Sequence, residues 1–267
     1  MAESGGKGWI QYDVPGVLSV LLIPGAGKAA WEGIGDAVLI DGQRGIFAVA
    51  DGPERNPGAA TAFLTRFRAG MSRLIDPLET NRLMDGVFDD LVAATNLLVR
   101  ETAYHDGTTF SAVVCGHDRR FAILHAGDSL IFRLRPGEGT ALQLSRTNHC
   151  LVGRAPGLFQ AETAQFREND LLLVASDGLA FLARFSGQGT AAFLEGLMKT
   201  CTSPREMVEE LCESVRRMTG GLDDIGVVMV RPEALSLSGS GLPGPSILPR
   251  EAGRAGRDRT VTDSDAP

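Results

Sequence analysis

The stretch Ile46-Phe47-Ala48-Val49-Ala50-Asp51-Gly52 (IFAVADG) is an unbroken apolar run closed by an acid and a glycine. A run this short and this apolar reads as a buried strand that delivers one carboxylate to the edge of a sheet. Residues 171–178, LLLVASDG, repeat the design. If both acids converge, carboxylates a few ångströms apart repel by roughly 4 kcal/mol per pair at an effective dielectric of 20, so something must neutralise them. A hard divalent cation suits oxygen ligands of this kind.

Outward from IFAVADG the pattern is consistent. Residues 37–40 form an apolar run, and the turn-forming Asp41-Gly42-Gln43-Arg44-Gly45 joins it to the run at Ile46. This is a hairpin, and it places Asp36 at the start of one strand beside Asp51 at the end of its neighbour. Residues 17–23 are a further strand. Downstream, Asn56 and Pro57 supply an N-cap and a first-turn proline, after which Ala60, Phe63, Leu64, Phe67, Met71 and Leu74 recur at helical spacing. A second helix is expected over about 81–104, with Leu83, Val87, Leu91, Thr95 and Leu98 on its packing face. From Thr108 the period becomes that of strands: TTFSAVVCG, FAILHAG and SLIFRLR, separated by turns, form a β-meander. Residues 171–175 add a strand, 190–199 and 203–218 are helical, and a strand at 225–230 closes the core.

The chain has 267 residues, 43% hydrophobic and 22% charged, enough for one large domain with a substantial core. Residues 1–16 are expected to become ordered only near Val17, residues 17–231 form the domain, and residues 232–267 are expected to be a disordered Gly/Ser/Pro/Arg tail. The arginines Arg250, Arg254, Arg257 and Arg259 fit a solvated linker better than a docking tail. A net charge of −7 argues against a broad nucleic-acid surface. No apolar run approaches the roughly 20 residues of a membrane span, and the four cysteines show neither zinc nor redox spacing. A cytoplasmic protein with reduced thiols, bound neither to membrane nor to nucleic acid, is the expectation. The segment PGAGK (24–28) lacks the earlier glycine and the following hydroxyl of a phosphate loop.

Four acids sit at expected strand ends: Asp36, Asp51, Asp177 and Asp223. A single strand-terminal Asp is usually a turn residue or a cap. Together, at one rim of an antiparallel sandwich, they form an oxygen-only set suited to magnesium or manganese, since no His or Cys stands nearby to favour zinc. The chemistry this implies is metal-assisted hydrolysis at phosphorus.

With these residues the chain resembles the PPM-type (type 2C) metal-dependent protein serine/threonine phosphatases. The resemblance rests on VADG (49–52), GTT (107–109), AGDS (126–129), LSRTNH (144–149), ASDGL (175–179) and GGLDD (220–224), and spans residues 17–231. It implies an α+β fold, an α-β-β-α four-layer sandwich of two antiparallel sheets flanked by helices. It also implies that Asp51 bridges two Mn2+ or Mg2+ ions, that the Gly52 carbonyl ligates one, and that Asp177 and Asp223 hold the second. Asp36 would reach the cluster through water, and Asp128 would hold a third ion. A metal-bridging hydroxide would attack phosphoserine or phosphothreonine of a phosphorylated protein, a Ser/Thr kinase or its targets being natural partners.

Two departures mark an atypical, bacterial-like member. Trp31 stands where relatives carry a phosphate-clamping Arg, and Pro53-Glu54-Arg55-Asn56 replaces the usual sequence after the first DG. Arg55 is either the substitute phosphate-binding cation or a solvated arginine beside a helix start. Asp224, where relatives carry Asn, either touches metal or hydrogen-bonds. The alternative function is a catalytically weak or silent pseudophosphatase that binds phosphoproteins as a signalling regulator; retention of all four acids favours the enzyme. Gly127-Asp128-Ser129-Leu130 spells a GDSL-esterase signature, but no Asp-x-x-His follows to activate the serine.

Overall fold

A computed structural model describes residues 9–25, 34–53, 56–75, 87–102, 107–116, 118–218, 223–237 and 242–249. The strands are β1 (Ile10–Val14), β2 (Leu18–Ile23), β3 (Asp36–Asp41), β4 (Ile46–Asp51), β5 (Phe110–Cys115), β6 (Arg120–Ala126), β7 (Leu130–Arg135), β8 (Thr140–Gln143), β9 (Gln160–Gln165), β10 (Leu171–Ala175), β11 (Ile225–Val230) and β12 (Ser246–Leu248). The helices are α1 (Gly58–Leu74), α2 (Val87–Glu101), α3 (Gly178–Phe185), α4 (Thr190–Met198), α5 (Pro204–Arg216) and α6 (Pro232–Leu237). One six-stranded sheet has the order β1-β2-β11-β10-β7-β8 and the other β12-β3-β4-β5-β6-β9, with antiparallel pairing throughout.

Strand alternation sorts the side chains into layers. On β4, Phe47 and Val49 enter the core between the sheets, while Ile46, Ala48 and Ala50 lie beneath α1 and α2. On β10 and β11, Leu172, Val174, Val228 and Val230 share the inter-sheet core, whereas Leu173, Ala175, Val227 and Met229 pack beneath α3, α4 and α5. The result is the expected α-β-β-α sandwich. These central strands read as continuous apolar runs because both of their faces are covered. Phe63 and Phe67 of α1 meet Phe110 of β5 edge-on, with ring centroids 5.0 and 4.8 Å apart, which fixes α1 over the second sheet.

Gly226 of β11 faces across the inter-sheet space at a point where a Cβ would stand 3.3 Å from Oδ2 of Asp36. A side chain there would crowd the carboxylate, so its absence makes room for a polar rim at the end of an apolar core.

Several expectations are corrected. Residues 10–14, placed in the N-terminal segment, pair with β2 and form an edge strand. Of the stretch expected to be a tail, residues 232–237 and 242–249 are built into the fold: α6 follows β11 directly, and β12 pairs with β3, Ile247 opposite Leu39. The physical reason is burial of two leucines: Leu242 and Leu248 are buried in the inter-sheet core, which offsets the ordering of a Gly/Ser/Pro-rich chain. Arg250, Arg254, Arg257 and Arg259 lie outside the described residues. Helix α1 begins at Gly58 with no side-chain cap, one turn being closed instead by the Ala59 N–H on the Asn56 carbonyl at 3.0 Å. The short helix α3 and the polar strands β8 and β9 carry no clear period and went unpredicted.

Candidate metal centre

The hairpin pairs Asp36 with Asp51 in register, Asp36↔Asp51 at the open end of β3 and β4. By strand parity Asp36 follows Val38 and Ile40, and Asp51 follows Val49 and Phe47, so both acids extend the inter-sheet face. Asp177 ends the segment after β10 and stands at the N-cap of α3. Asp223 is exposed just before β11, and Asp128 is half-buried in the turn between β6 and β7.

These acids bear on one another's ionisation. Burial pushes the Asp51 carboxyl up to about 10, and the charges of Asp36, Asp177, Asp223 and Asp128 push in the same direction. Burial likewise pushes Asp36 up to about 8, with a hydrogen bond from Ser176 opposing and the charges of Asp224, Asp177 and Asp223 adding. Asp177 rises to about 6, again chiefly through burial, then through Asp128 and Asp223, against the pull of Arg184 and a hydrogen bond with Asp51. Asp51 is the focus of the set.

The backbone around Asp51 is tightly held. The Thr109 N–H and the Thr108 hydroxyl both donate to the Asp51 carbonyl, at 2.8 and 2.7 Å. In return the Asp51 N–H donates to Oγ1 of Thr109 at 2.9 Å, and that hydroxyl meets the Ser129 hydroxyl at 2.6 Å. The GTT motif therefore positions the acid, as well as fixing the sheet. Gly35 does similar work on the other side: its carbonyl accepts from the Gly52 N–H at 3.0 Å. A Cβ on Gly35 would stand 2.2 Å from the Gly52 carbonyl oxygen, so only glycine allows this approach.

Asp224 resolves toward hydrogen bonding. Its two oxygens accept from the Gly25 and Gly35 N–H groups at 2.6 Å each, so one buried carboxylate ties together the end of the chain after β2 and the lead into β3. In the LSRTNH stretch the working residue is Asn148 rather than His149. Its Oδ1 accepts from the N–H groups of Gly127 at 3.0 Å and Cys150 at 2.8 Å, and its own N–H donates to the Gly127 carbonyl, which holds the turn bearing Asp128. His125 is a satisfied core histidine, its ring nitrogens 2.7 Å from Oγ of Ser111 and 3.2 Å from the Arg146 carbonyl. Trp31 and Arg55 lie outside the described residues.

The donor set fits a divalent cation. Oδ2 of Asp36 is buried without a hydrogen-bond partner, and carboxyls raised chiefly by burial and further by one another's charge are relieved by a cation. Among the described residues no three His, Cys, Asp or Glu side chains form a group that could hold an ion by themselves. Carboxylates contributed one or two at a time, completed by carbonyl and water oxygens, match the coordination habit of magnesium.

A sequence model of the stage II sporulation protein E (SpoIIE) family matches residues 47–233, from IFAVADG through β11. The chain belongs to the SpoIIE family. It is thereby a bacterial-type member of the PPM phosphatases, and solved structures of that type share its fold. The PP2C phosphatase domain of SpoIIE from Bacillus subtilis, solved with a fragment of its regulatory domain, is 17% identical over 80% of this chain and 62% of that one, with a TM-score of 0.61. The chain thus spans less than two thirds of that relative. The PPM Ser-Thr phosphatase MsPP from Mycobacterium smegmatis, in complex with cacodylate, is 24% identical over 80% of this chain and 97% of its own, at a TM-score of 0.55. The catalytic domain of the serine threonine protein phosphatase PstP, in complex with 2 manganese ions, is 20% identical over 79% of this chain and 96% of its own, at 0.60. No curated protein sequence matches the chain.

Sequence reasoning missed Asn148, Ser176 and Arg184, and left Asp224 open. Asn148 and Asp224 lie inside quoted motifs, and a polar side chain flanking an acidic motif is the signal that could have found them. Ser176 likewise lies inside the quoted ASDGL, whereas nothing in the sequence around Arg184 marks it.

Proposed function

We propose that the chain is a Mn2+- or Mg2+-dependent phosphoprotein phosphatase acting on phosphoserine and phosphothreonine. The observation that carries this reading is the in-register pairing of Asp36 with Asp51 at the open end of β3 and β4, inside a chain whose residues 47–233 match the SpoIIE family. Asp51 and the Gly52 carbonyl would serve one ion and, with Asp177 and Asp223, a second; Asp36 would act through water and Asp128 on a third. Ions held there supply a water-derived nucleophile near neutral pH and neutralise charge on the phosphate oxygens. The chain's own part is positional. Thr108 and Thr109 fix Asp51, Asn148 fixes the turn of Asp128, and Asp224 fixes the approach to β3. Ser129 and Ser176 have hydroxyls already engaged with Thr109 and the Gly226 N–H, which supports direct hydrolysis over a seryl phosphoenzyme.

Arg55 remains our candidate for the phosphate-binding cation near the first DG. A kinase or its substrates would be partners. Cysteines unpaired in disulfides fit a reducing cytoplasm, and no helix among the described residues is long and apolar enough to cross a membrane. A second reading, a silent phosphoprotein-binding regulator, is favoured by Trp31 in place of the relatives' Arg. Manganese-dependent release of phosphate from para-nitrophenyl phosphate and from phosphopeptides tests the choice. Turnover that disappears in Asp51→Asn supports the enzyme, and binding without turnover supports the regulator.

A further inference from the structure

Helix α3 leaves the acidic rim directly, since Asp177 is its N-cap. Positions four, seven and eight residues on are Phe181, Arg184 and Phe185, which fall on the helical face below Asp177. All three are exposed, Phe181 by 38% and Phe185 by 56%, on a helix whose opposite face, Leu179, Leu182 and Ala183, is buried. Two exposed phenylalanines on so short a helix are an apolar patch that folding does not explain. Side chains on a helix lean toward its N-terminus, and Arg184 does so: its guanidinium carbon lies 5.9 Å from the Phe181 ring centroid, one turn back toward Asp177. Among the described residues Arg184 forms no ion pair.

At the far end of α3 lies a cavity of about 400 Å³ between α3, α4 and α5. Phe185, Phe193, Leu197 and Met218 give it apolar walls, and Glu210 and Arg217, paired at 2.7 Å, stand on one side. One wall leads back to the rim, since α3 begins at Asp177.

We infer that the outer face of α3 and this cavity form the docking track for an extended phosphopeptide, with Arg184 taking the charge of the phosphate side and the cavity taking an apolar side chain. The inference rests on the phosphatase reading and names its substrate class. The occupant follows from continuity with the acidic rim and from charge: an anionic group held beside carboxylates needs a cation, and Arg184 leans toward that place. Spacing sets the register. From Asp177 to Phe185 the helix rises about 12 Å, which an extended peptide at about 3.3 Å per residue covers in about four residues.

The test uses fluorescent phosphoserine peptides carrying leucine, or alanine as control, four residues before or after the phosphoserine. Anisotropy titrations are run on the full chain with manganese, alongside hydrolysis of para-nitrophenyl phosphate. Leucine on one side should tighten binding about tenfold, the scale of burying one such side chain. Phe185→Ser should erase that gain. So should Gly196→Phe, which enters the cavity from a position where an added Cβ meets no atom within 4 Å. Arg184→Gln should weaken every phosphopeptide alike, and Phe185→Ser should leave para-nitrophenyl phosphate hydrolysis unchanged. Equal binding of leucine and alanine peptides, or a leucine gain that survives both cavity variants, overturns the track. A chain that hydrolyses no phosphate ester with manganese sinks the phosphatase reading separately, while the binding titrations still decide the track.

Discussion

The two strand ends that carry the same sequence design, AlaAspGly at 50–52 and SerAspGly at 176–178, are built differently. Asp51 is locked through its backbone by Thr108 and Thr109 and lies where burial and all its acidic neighbours act on it, so its carboxyl rises to about 10. Asp177 starts a helix, is more open, and rises only to about 6 with Arg184 pulling against the rise. The same motif thus yields a fixed, heavily frustrated centre on one sheet and a looser, helix-borne acid on the other.

The sharpest way to break the contrast is to neutralise each acid. Asp51→Asn should abolish manganese-dependent phosphate release, whereas Asp177→Asn should leave weak turnover that recovers at high manganese; equal residual activity in the two variants would erase the distinction. Next is the positioning shell. Thr109→Val removes the hydroxyl that accepts from the Asp51 N–H and should weaken manganese binding about 10- to 100-fold by calorimetry, with Thr109→Ser restoring most of it.

A pH series in EDTA sharpens the comparison thermodynamically. Asp36 and Asp51 have native values of about 8 and about 10 against an ordinary 3.8, so the unfolded chain ionises first. Stability is then full below about pH 4 and falls as pH rises toward 8 and beyond, the reverse of a salt-bridged carboxylate. Urea unfolding should show lower stability at pH 8 than at pH 5, Asp51→Asn should flatten the slope more than Asp177→Asn, and saturating manganese should remove it. At pH 8 without metal, Asp51→Asn should raise Tm by about 2–4 °C for each kcal/mol of repulsion relieved. The smallest effect belongs to Asp224→Asn, which keeps an acceptor for one of the Gly25 and Gly35 N–H groups and turns an NH2 toward the other, and should cost about 1–3 kcal/mol in a denaturant titration.

Much of this was legible because the informative residues are strand-terminal acids following apolar runs. A run such as LLLVA can only be buried, and the acid after it can only lie at a rim. The hairpin at 41–45 then fixed which acids meet, and Asp36 does stand opposite Asp51. What stayed hidden depends on packing between distant segments. Helix α3 is too short for a period to declare itself. The polar β9 alternates in exposure because one of its faces turns to the inter-sheet core, where Ala164 packs, a contact its own residues do not announce. The composition of residues 232–249 signals disorder, yet Leu242 and Leu248 find room in a core formed by other strands. Asn148 and Asp224 act on backbone groups far along the chain, which no local pattern records.

The pairing of β12 with β3 has a consequence for synthesis. The strand that presents Asp36 has β4 on one side and residues 246–248 on the other, so its outer edge stays uncovered until residues 246–248, some two hundred positions later, have been made. A product ended early would expose an apolar strand edge open to pairing with other chains. β12 is therefore the piece that closes the sheet beside the strand bearing Asp36.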